Sequence, residues 1–305
     1  MQRIVITGAT GMIGTNLVKE LVKKNKKVLA IVRPNSPKIK NIKHPLVEII
    51  QADLNELQNI TSFPETYDTF FHLGWEGAFG NSRNDINMQM KNISYSLEAV
   101  KLAKRLGCNT FVGTGSQAEY GRTEEKIRPN TSVNPETAYG IAKYCSGKMT
   151  KILADQLGMK HIWTRILSVY GPYDNESTLI MSSIREMIEN HQSPEYTKGE
   201  QLWDYLYVED AARALYLIGE KGINGSTYCI GSGISKPLYQ YIEEIRNQID
   251  KKIPLKLGAR KVPREQIINL RADISNLTKD TGFIPTTNFH EGIQKTIQWY
   301  RKNKE

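Results

Sequence analysis

The chain opens on Arg3-Ile4-Val5-Ile6-Thr7-Gly8-Ala9-Thr10-Gly11-Met12-Ile13-Gly14. A short β-branched run meets three glycines, and the next stretch, 15–24, carries apolar side chains at Leu17, Val18, Leu21 and Val22. The pattern reads as strand, tight turn and amphipathic helix. The spacing is Gly-x-x-Gly-x-x-Gly rather than the Gly-x-Gly-x-x-Gly of many dehydrogenases. The three glycines differ in what they make possible. Gly8 permits the turn, Gly11 lets the backbone approach a pyrophosphate, and Gly14 lets helix and strand pack closely. The unpaired amides of a helix N-terminus then face the phosphates. Gly8, Gly11, Met12, Ile13 and Gly14 are therefore the first candidate dinucleotide contacts.

The same rhythm continues outward. Apolar runs at 3–7, 28–32, 47–50, 69–73, 110–114 and 162–167 alternate with helical patterns near 12–24, 86–106 and 136–157. This βαβα order predicts an α/β fold with a doubly wound parallel sheet. After Gly171-Pro172 the rhythm loosens. Helical patterns at 178–190, 209–220, 236–250 and 288–302 surround an extended 204–208 and short strands. A smaller, mostly C-terminal α/β domain is expected there.

With 305 residues and 39% hydrophobic content the chain can hold a large core, and no apolar run reaches membrane-spanning length. No signal peptide is expected, because Ile4 already belongs to the first strand. Cys108, Cys145 and Cys229 are scattered and odd in number. They point to reduced thiols in a cytoplasmic protein, with neither a disulfide framework nor a metal site. The net charge of +9 could suit nucleic acid, but the lysines are spread along helix faces without an aromatic–basic motif.

Farther along stands Ala138-Tyr139-Gly140-Ile141-Ala142-Lys143. A spacing of four places Tyr139 and Lys143 on one helix face, where an ammonium can favour the ionised phenol. A phenol tuned in this way can give or take a proton. Strand, glycine turn, a serine at 116 and this Tyr-x-x-x-Lys pair together resemble the extended short-chain dehydrogenase/reductase family of nucleotide-sugar epimerases, dehydratases and reductases. Further motifs fall in family order: Asp53-Leu54, Phe71-His72-Leu73, Gly115-Ser116 through Tyr120-Gly121, and Arg165 through Tyr170-Gly171-Pro172. Asp204-Tyr205-Leu206-Tyr207-Val208-Glu209-Asp210 and a closing Ala272-Asp273-Ile274-Ser275 with Trp299-Tyr300 complete the set.

The resemblance implies a Rossmann domain over 1–172, rejoined by part of 204–235, and a substrate domain over 173–305. It implies Tyr139 as proton donor or acceptor at the sugar oxygen, Lys143 as its pKa-lowering partner and ribose contact, and Ser116 as the hydrogen-bond donor polarising a carbonyl. Asp53 and Leu54, with Leu73 and Gly74, join the cofactor contacts. His72 is expected to be structural. The helices near 86–106 and 136–157 would pair with a second subunit in a homodimer.

The residues after the second strand, Arg33-Pro34-Asn35-Ser36, contain no acid for ribose hydroxyls. Arginine suits a 2′-phosphate, so Arg33, Asn35 and Ser36 favour NADP(H) over NAD(H). The family's 4,6-dehydratases carry an Asp-Glu pair where this chain has Gln117 and Ala118, which argues against dehydration. Glu119, one place later, is either a buried paired carboxylate or a substrate contact; in an extended segment it points away from Ala118.

On the substrate side, Ser168 stands where the family often has asparagine, and Trp203 where it often has a phosphate-binding arginine. Arg264 or Arg271 can supply that charge. Trp75 either narrows the sugar pocket or packs. The leading expectation is NADPH-dependent reduction of a 4-keto, 6-deoxy nucleotide-diphosphate sugar. The alternative is a 4-epimerase with tightly held NAD. A non-catalytic cofactor-binding regulator is opposed by the intact Tyr139–Lys143 pair.

Overall fold

Strands β1 (Arg3–Thr7), β2 (Lys27–Val32), β4 (Thr69–His72), β5 (Thr110–Ser116) and β6 (Lys160–Ile166) are buried along most of their length, as interior parallel strands covered on both faces are, whereas β3 (Val47–Gln51) at the sheet edge is part-exposed. The computed structural model describes residues 1–61, 65–262 and 267–304. In it these strands and a later one, β10 (Thr227–Ile230), form a seven-stranded parallel sheet in the order β3-β2-β1-β4-β5-β6-β10. Between them in sequence lie the short strands β7 (Ser168–Tyr170), β8 (Leu202–Trp203) and β9 (Tyr205–Tyr207); β11 (Lys236–Pro237) follows.

Alternation along each strand divides the core. Ile4, Ile6, Val28, Ala30 and Val32 face one side, against helices α1 (Met12–Lys23) and α5 (Val208–Lys221). Val5, Leu29, Ile31 and Phe70 face the other, under α2 (Ile86–Arg105), with α3 (Ala138–Gln156) packed beside it. A third cluster joins α4 (Leu179–Glu189), α6 (Leu238–Ile249) and α8 (Phe289–Lys302) around Tyr170, Tyr207 and Tyr241. The short helix α7 (Ser275–Thr281) packs against α5.

Strand order reverses between β1 and β4, so the loops leaving their C-terminal ends diverge and open a crevice. Two features differ from the sequence reading. The sheet gains its seventh strand, β10, paired with β6 from Thr227↔Trp163 to Ile230↔Ile166. Residues 117–119 form a 3-10 turn instead of continuing extended, because Ser116 and Glu119 close a capping box. Among the described residues no helix is long and apolar enough to cross a membrane.

Candidate active site

The glycine turn after β1 builds one end of a cleft of about 640 Å³. Gly8 has φ +71, and a Cβ there would lie 2.7 Å from Gly74 N and Leu73 C. A Cβ on Gly14 would sit 2.2 Å from Gly8 O. Gly11 is different: it meets nothing closer than 3.4 Å and is the N-cap of α1, without a side-chain cap or an acid in the first turn. The first intrahelical bond is Thr15 N to Gly11 O at 2.8 Å. The amides of residues 12–14 therefore have no helical acceptor, and Gly11, Met12, Ile13 and Gly14 line the cleft. Unpaired donors on a helix dipole fit the pyrophosphate of a dinucleotide.

The other expected cofactor contacts divide. Leu73 lines the cleft. Gly74 gives way to the Leu54 side chain, which a Cβ would approach to 2.8 Å. Asp53 forms a capping box with Glu56 at the turn after β3. Arg33 and Asn35 are exposed and Ser36 is half-buried on the loop leaving β2. There Asn35 N donates to Gln51 Oε1 at 2.8 Å. None of these last four side chains is among the cleft's lining, whereas Lys38, which the sequence reading passed over, is. His72 is buried between Thr7 Oγ1 at 2.8 Å and Ser96 Oγ at 3.3 Å. Burial and the nearby Lys143 bring its imidazole down to about 3, so it is neutral scaffolding.

The middle of the cleft joins the end of β5 to the start of α3. Thr137 caps α3 through its hydroxyl, which accepts from Gly140 N at 3.1 Å. Gly140 is needed there because a Cβ would come within 2.3 Å of Ala118 O. This close docking brings Ser116, Tyr139 and Lys143 to one wall, exposed by 9%, 8% and 4%. Burial raises the Tyr139 phenol above its ordinary range; a hydrogen bond with Ser116 and the charge of Arg83 work the other way. Lys143 donates to Thr114 O at 2.7 Å, and its ammonium lies 3.8 Å from the Trp75 ring centroid. Burial pulls Lys143 down to about 7, opposed by Glu119. The Lys143 Nζ also lies 5.8 Å from the Tyr139 ring centroid. The guanidinium of Arg83 lies nearer, 4.3 Å over the Tyr139 ring, and nothing in the spacing of the sequence pointed to it.

Of the two alternatives for Glu119, the buried pair is the one found. Fully buried, it accepts from Arg165 Nε at 2.6 Å, Ser116 N at 2.9 Å and Trp163 Nε1 at 3.1 Å. Arg165 also donates to Pro129 O at 3.1 Å. A Cβ on Gly115 would fall 2.0 Å from Glu119 Oε1. With every carboxylate direction occupied, Glu119 braces the backbone that carries Ser116.

The far end is aromatic. Trp203 donates to Ser168 Oγ at 2.8 Å, and both line the cleft with Tyr170, Tyr173 and Tyr205. Asp174 lies there too, its carboxyl pushed up to about 6 by burial. Gln117 reaches the same cleft with its buried Oε1 unpartnered, an acceptor available to a substrate hydroxyl or N–H. Trp75 both lines the pocket and packs, edge-on to Tyr139 at 5.9 Å. Arg271 is not part of the cleft's lining; its Nη2 donates to Glu124 O at 2.9 Å. Arg264 lies outside the described residues.

Comparison with known proteins agrees with this geometry. The model of the NAD dependent epimerase/dehydratase family matches residues 4–231. An uncharacterized UDP-glucose epimerase of Bacillus subtilis is 25% identical over 97% of both chains. A dTDP-glucose 4,6-dehydratase of Neisseria meningitidis is 24% identical over 100% of this chain and 94% of its own. Among solved structures, the UDP-N-acetylglucosamine 4-epimerase of Methanobrevibacter ruminantium, in complex with UDP-N-acetylmuramic acid, superposes with TM-score 0.88 at 26% identity over 99% of both chains. The UDP-glucuronic acid 4-epimerase of Bacillus cereus, in complex with UDP-glucuronic acid and NAD, superposes with TM-score 0.84 at 21% identity over 99% of this chain and 100% of its own. The chain belongs to the NAD dependent epimerase/dehydratase family.

Proposed function

We propose that the chain interconverts alcohol and ketone at C4 of a nucleotide-linked sugar, without dehydration, and acts as an NAD-linked 4-epimerase. The observation that carries this reading is the convergence of Ser116, Tyr139 and Lys143 on one cleft wall beside two residues, Gln117 and Ala118, that cannot serve as acid and base. Glu119 cannot replace them, since Arg165, Ser116 N and Trp163 occupy its carboxylate. The amides of residues 12–14 would hold the dinucleotide's pyrophosphate, and Lys143 its ribose. When bound, the nicotinamide accepts a hydride from C4 or returns it. Tyr139 takes the proton of the C4 hydroxyl during oxidation and gives it back during reduction. Ser116 holds the same oxygen and donates to it as negative charge develops.

A second reading, NADPH-dependent reduction of a 4-keto sugar, rests on one observation. The loop after β2 has no acid, and Arg33 stands exposed with Asn35 and Ser36 beyond it. The two readings part at the cofactor. Mass spectrometry of the denatured supernatant should find NAD, and thermal shifts should show little response to NADPH. Little bound cofactor with a shift selective for NADPH would make the reductase the better account. The domains divide at about residue 172, with β10 and α5 returning to the first domain.

A homodimer through α2 and α3 belongs to the same proposal. These helices pack on each other and expose Ile86, Met90, Ile141 and Ile152, which are 65, 61, 54 and 59% accessible. Such a stripe fits a second copy of itself across a two-fold axis.

A further inference from the structure

The connection from β4 to α2 runs through Trp75-Glu76-Gly77-Ala78-Phe79-Gly80-Asn81-Ser82-Arg83-Asn84. Three glycines or small residues and several polar ones give it no core of its own. Buried amides from α2 hold it instead. Gln89, 1% exposed, donates to Gly77 O at 3.0 Å and Ser82 O at 2.9 Å and accepts from Trp75 Nε1 at 2.9 Å. Asn92, equally buried, accepts from Glu76 N at 2.9 Å and donates to Glu76 O at 3.0 Å. At the other end Asn84 Oδ1 accepts from Ala138 N at 3.2 Å, tying the loop to the first turn of the helix that carries Tyr139. Placing two such amides in a core is costly unless every polar atom is used. Here they are spent on the shape of one loop.

That shape delivers two side chains to the catalytic tyrosine. Trp75 meets Tyr139 edge-on and offers its face to Lys143. Arg83 lies with its guanidinium carbon 4.3 Å over the Tyr139 ring and lines the cleft. Among the described residues its partners are the Tyr139 ring and the Ala78 carbonyl, at 3.2 Å from Nη1. We propose that Arg83 is a positioning residue that acts through Tyr139, a permanent cation that stabilises its phenolate form. The proposal rests on the reading of Tyr139 as proton donor and acceptor. In the oxidative direction the C4 hydroxyl proton passes to the phenolate, giving phenol, while the hydride leaves C4 for the nicotinamide; the reverse direction returns both. Arg83 keeps its charge throughout.

The other charged groups around Tyr139 are accounted for. Lys143, one turn along α3, has its ammonium over Trp75 and on Thr114 O, and at 5.8 Å from the Tyr139 ring centroid it is farther from the ring than Arg83. Glu119, from the turn after β5, opposes ionisation of the phenol and is itself bound to Arg165. Glu136, before α3, pairs with Arg122. Asp85, after the loop, caps α2 through Met88 N.

The test is a titration of Tyr139 itself. NAD-saturated protein labelled at tyrosine Cζ with carbon-13 is followed by NMR across alkaline pH, with the Tyr139 signal assigned from Tyr139→Phe. In Arg83→Gln the midpoint should rise by about one unit, a tenfold weaker acid, and Arg83→Lys should recover part of the shift. In parallel, the pH dependence of kcat on UDP-glucose should move upward in Arg83→Gln, with kcat falling more than KM rises. A midpoint unmoved by Arg83→Gln, or no Tyr139 ionisation in either protein below alkaline unfolding, overturns the proposal. A rise in KM alone, at unchanged kcat and pH profile, also overturns it by making Arg83 a binding group only. If Tyr139→Phe keeps its turnover, the underlying reading fails. If it is inactive while the midpoint stands still, only the role of Arg83 fails.

Discussion

Replacing Glu119 by leucine tests the brace behind Ser116. The pair with Arg165 has side chains 0% and 6% exposed and a contact of 2.6 Å. Removing the carboxylate leaves the guanidinium buried without its counter-charge, at a cost of about 3–5 kcal/mol. It also orphans Ser116 N–H and Trp163 Nε1–H, each worth about 1–3 kcal/mol when buried and unmet. Leucine recovers part of this through apolar burial, so a net loss of about 4–5 kcal/mol is expected. Glutamine keeps the shape and one acceptor, and should lose about 2 kcal/mol. Arg165→Met strands the carboxylate in turn and should lose about 3 kcal/mol. The double variant Glu119→Leu/Arg165→Met then falls short of the sum of the singles by about 2 kcal/mol or more. Urea unfolding at neutral pH measures this from the midpoint, provided the slope is unchanged. Glu119→Leu within about 1 kcal/mol of wild type, or strict additivity in the cycle, would refute the brace.

Three further outcomes follow from other parts of the structure. Gly14→Ala places a Cβ 2.2 Å from Gly8 O and 2.8 Å from Ala9 Cα, backbone on both sides. Calorimetry should show NAD binding lost, with stability down by about 1–3 kcal/mol; wild-type affinity would contradict the close-packing role. Lys143→Met should stabilise the fold most below about pH 7, where the native lysine is charged in both folded and unfolded chains and its burial cost is fully present. The gain fades as pH rises toward 10.5, because the folded lysine, with its lowered pKa, has already lost its proton. From the shift the ceiling is about 4–5 kcal/mol, reduced by the lost bond to Thr114 O to a net of about 2 kcal/mol. Urea midpoints at pH 6 and 9.5 check the sign, and a gain that grows with pH would be the wrong one. Ile141→Lys with Met90→Lys should shift the chain from dimer to monomer in light scattering after size exclusion; unchanged mass would remove the α2–α3 stripe as the interface.

Six of the seven strands of the sheet could be read from sequence, because most of them carry short β-branched or aromatic runs that alternate with helical patterns. The strand Thr227–Ile230 falls in the stretch 204–235 that was expected to rejoin the first domain, but its four residues, Thr-Tyr-Cys-Ile, carry no distinctive apolar run, so its pairing with β6 emerges only in three dimensions. The glycine cradle and the Tyr139–Lys143 spacing are local, and local geometry survives in sequence. Glu119 and Arg165 are 46 positions apart, and no spacing rule joins them. Gln89 and Asn92 are polar residues in buried helix positions, which a periodicity reading assigns to solvent. Arg83 was hidden for the same reason: its position depends on those two amides. The preference for NADP(H) rested on the missing acid after the second strand and on Arg33, Asn35 and Ser36, and the similar structures in complex with NAD give it no support.

The most direct test of the central claim is the fate of a C4 label. UDP-glucose, UDP-N-acetylglucosamine and UDP-glucuronic acid, each deuterated at C4, are incubated with the purified chain without added cofactor, and the products are examined by NMR and mass spectrometry. A C4 epimer of at least one sugar that keeps its deuterium at C4 is expected, with no conversion by Tyr139→Phe. Loss of the label to solvent, conversion undiminished in Tyr139→Phe, or no epimer from any of the three while NADPH is consumed with a 4-keto sugar would contradict the claim.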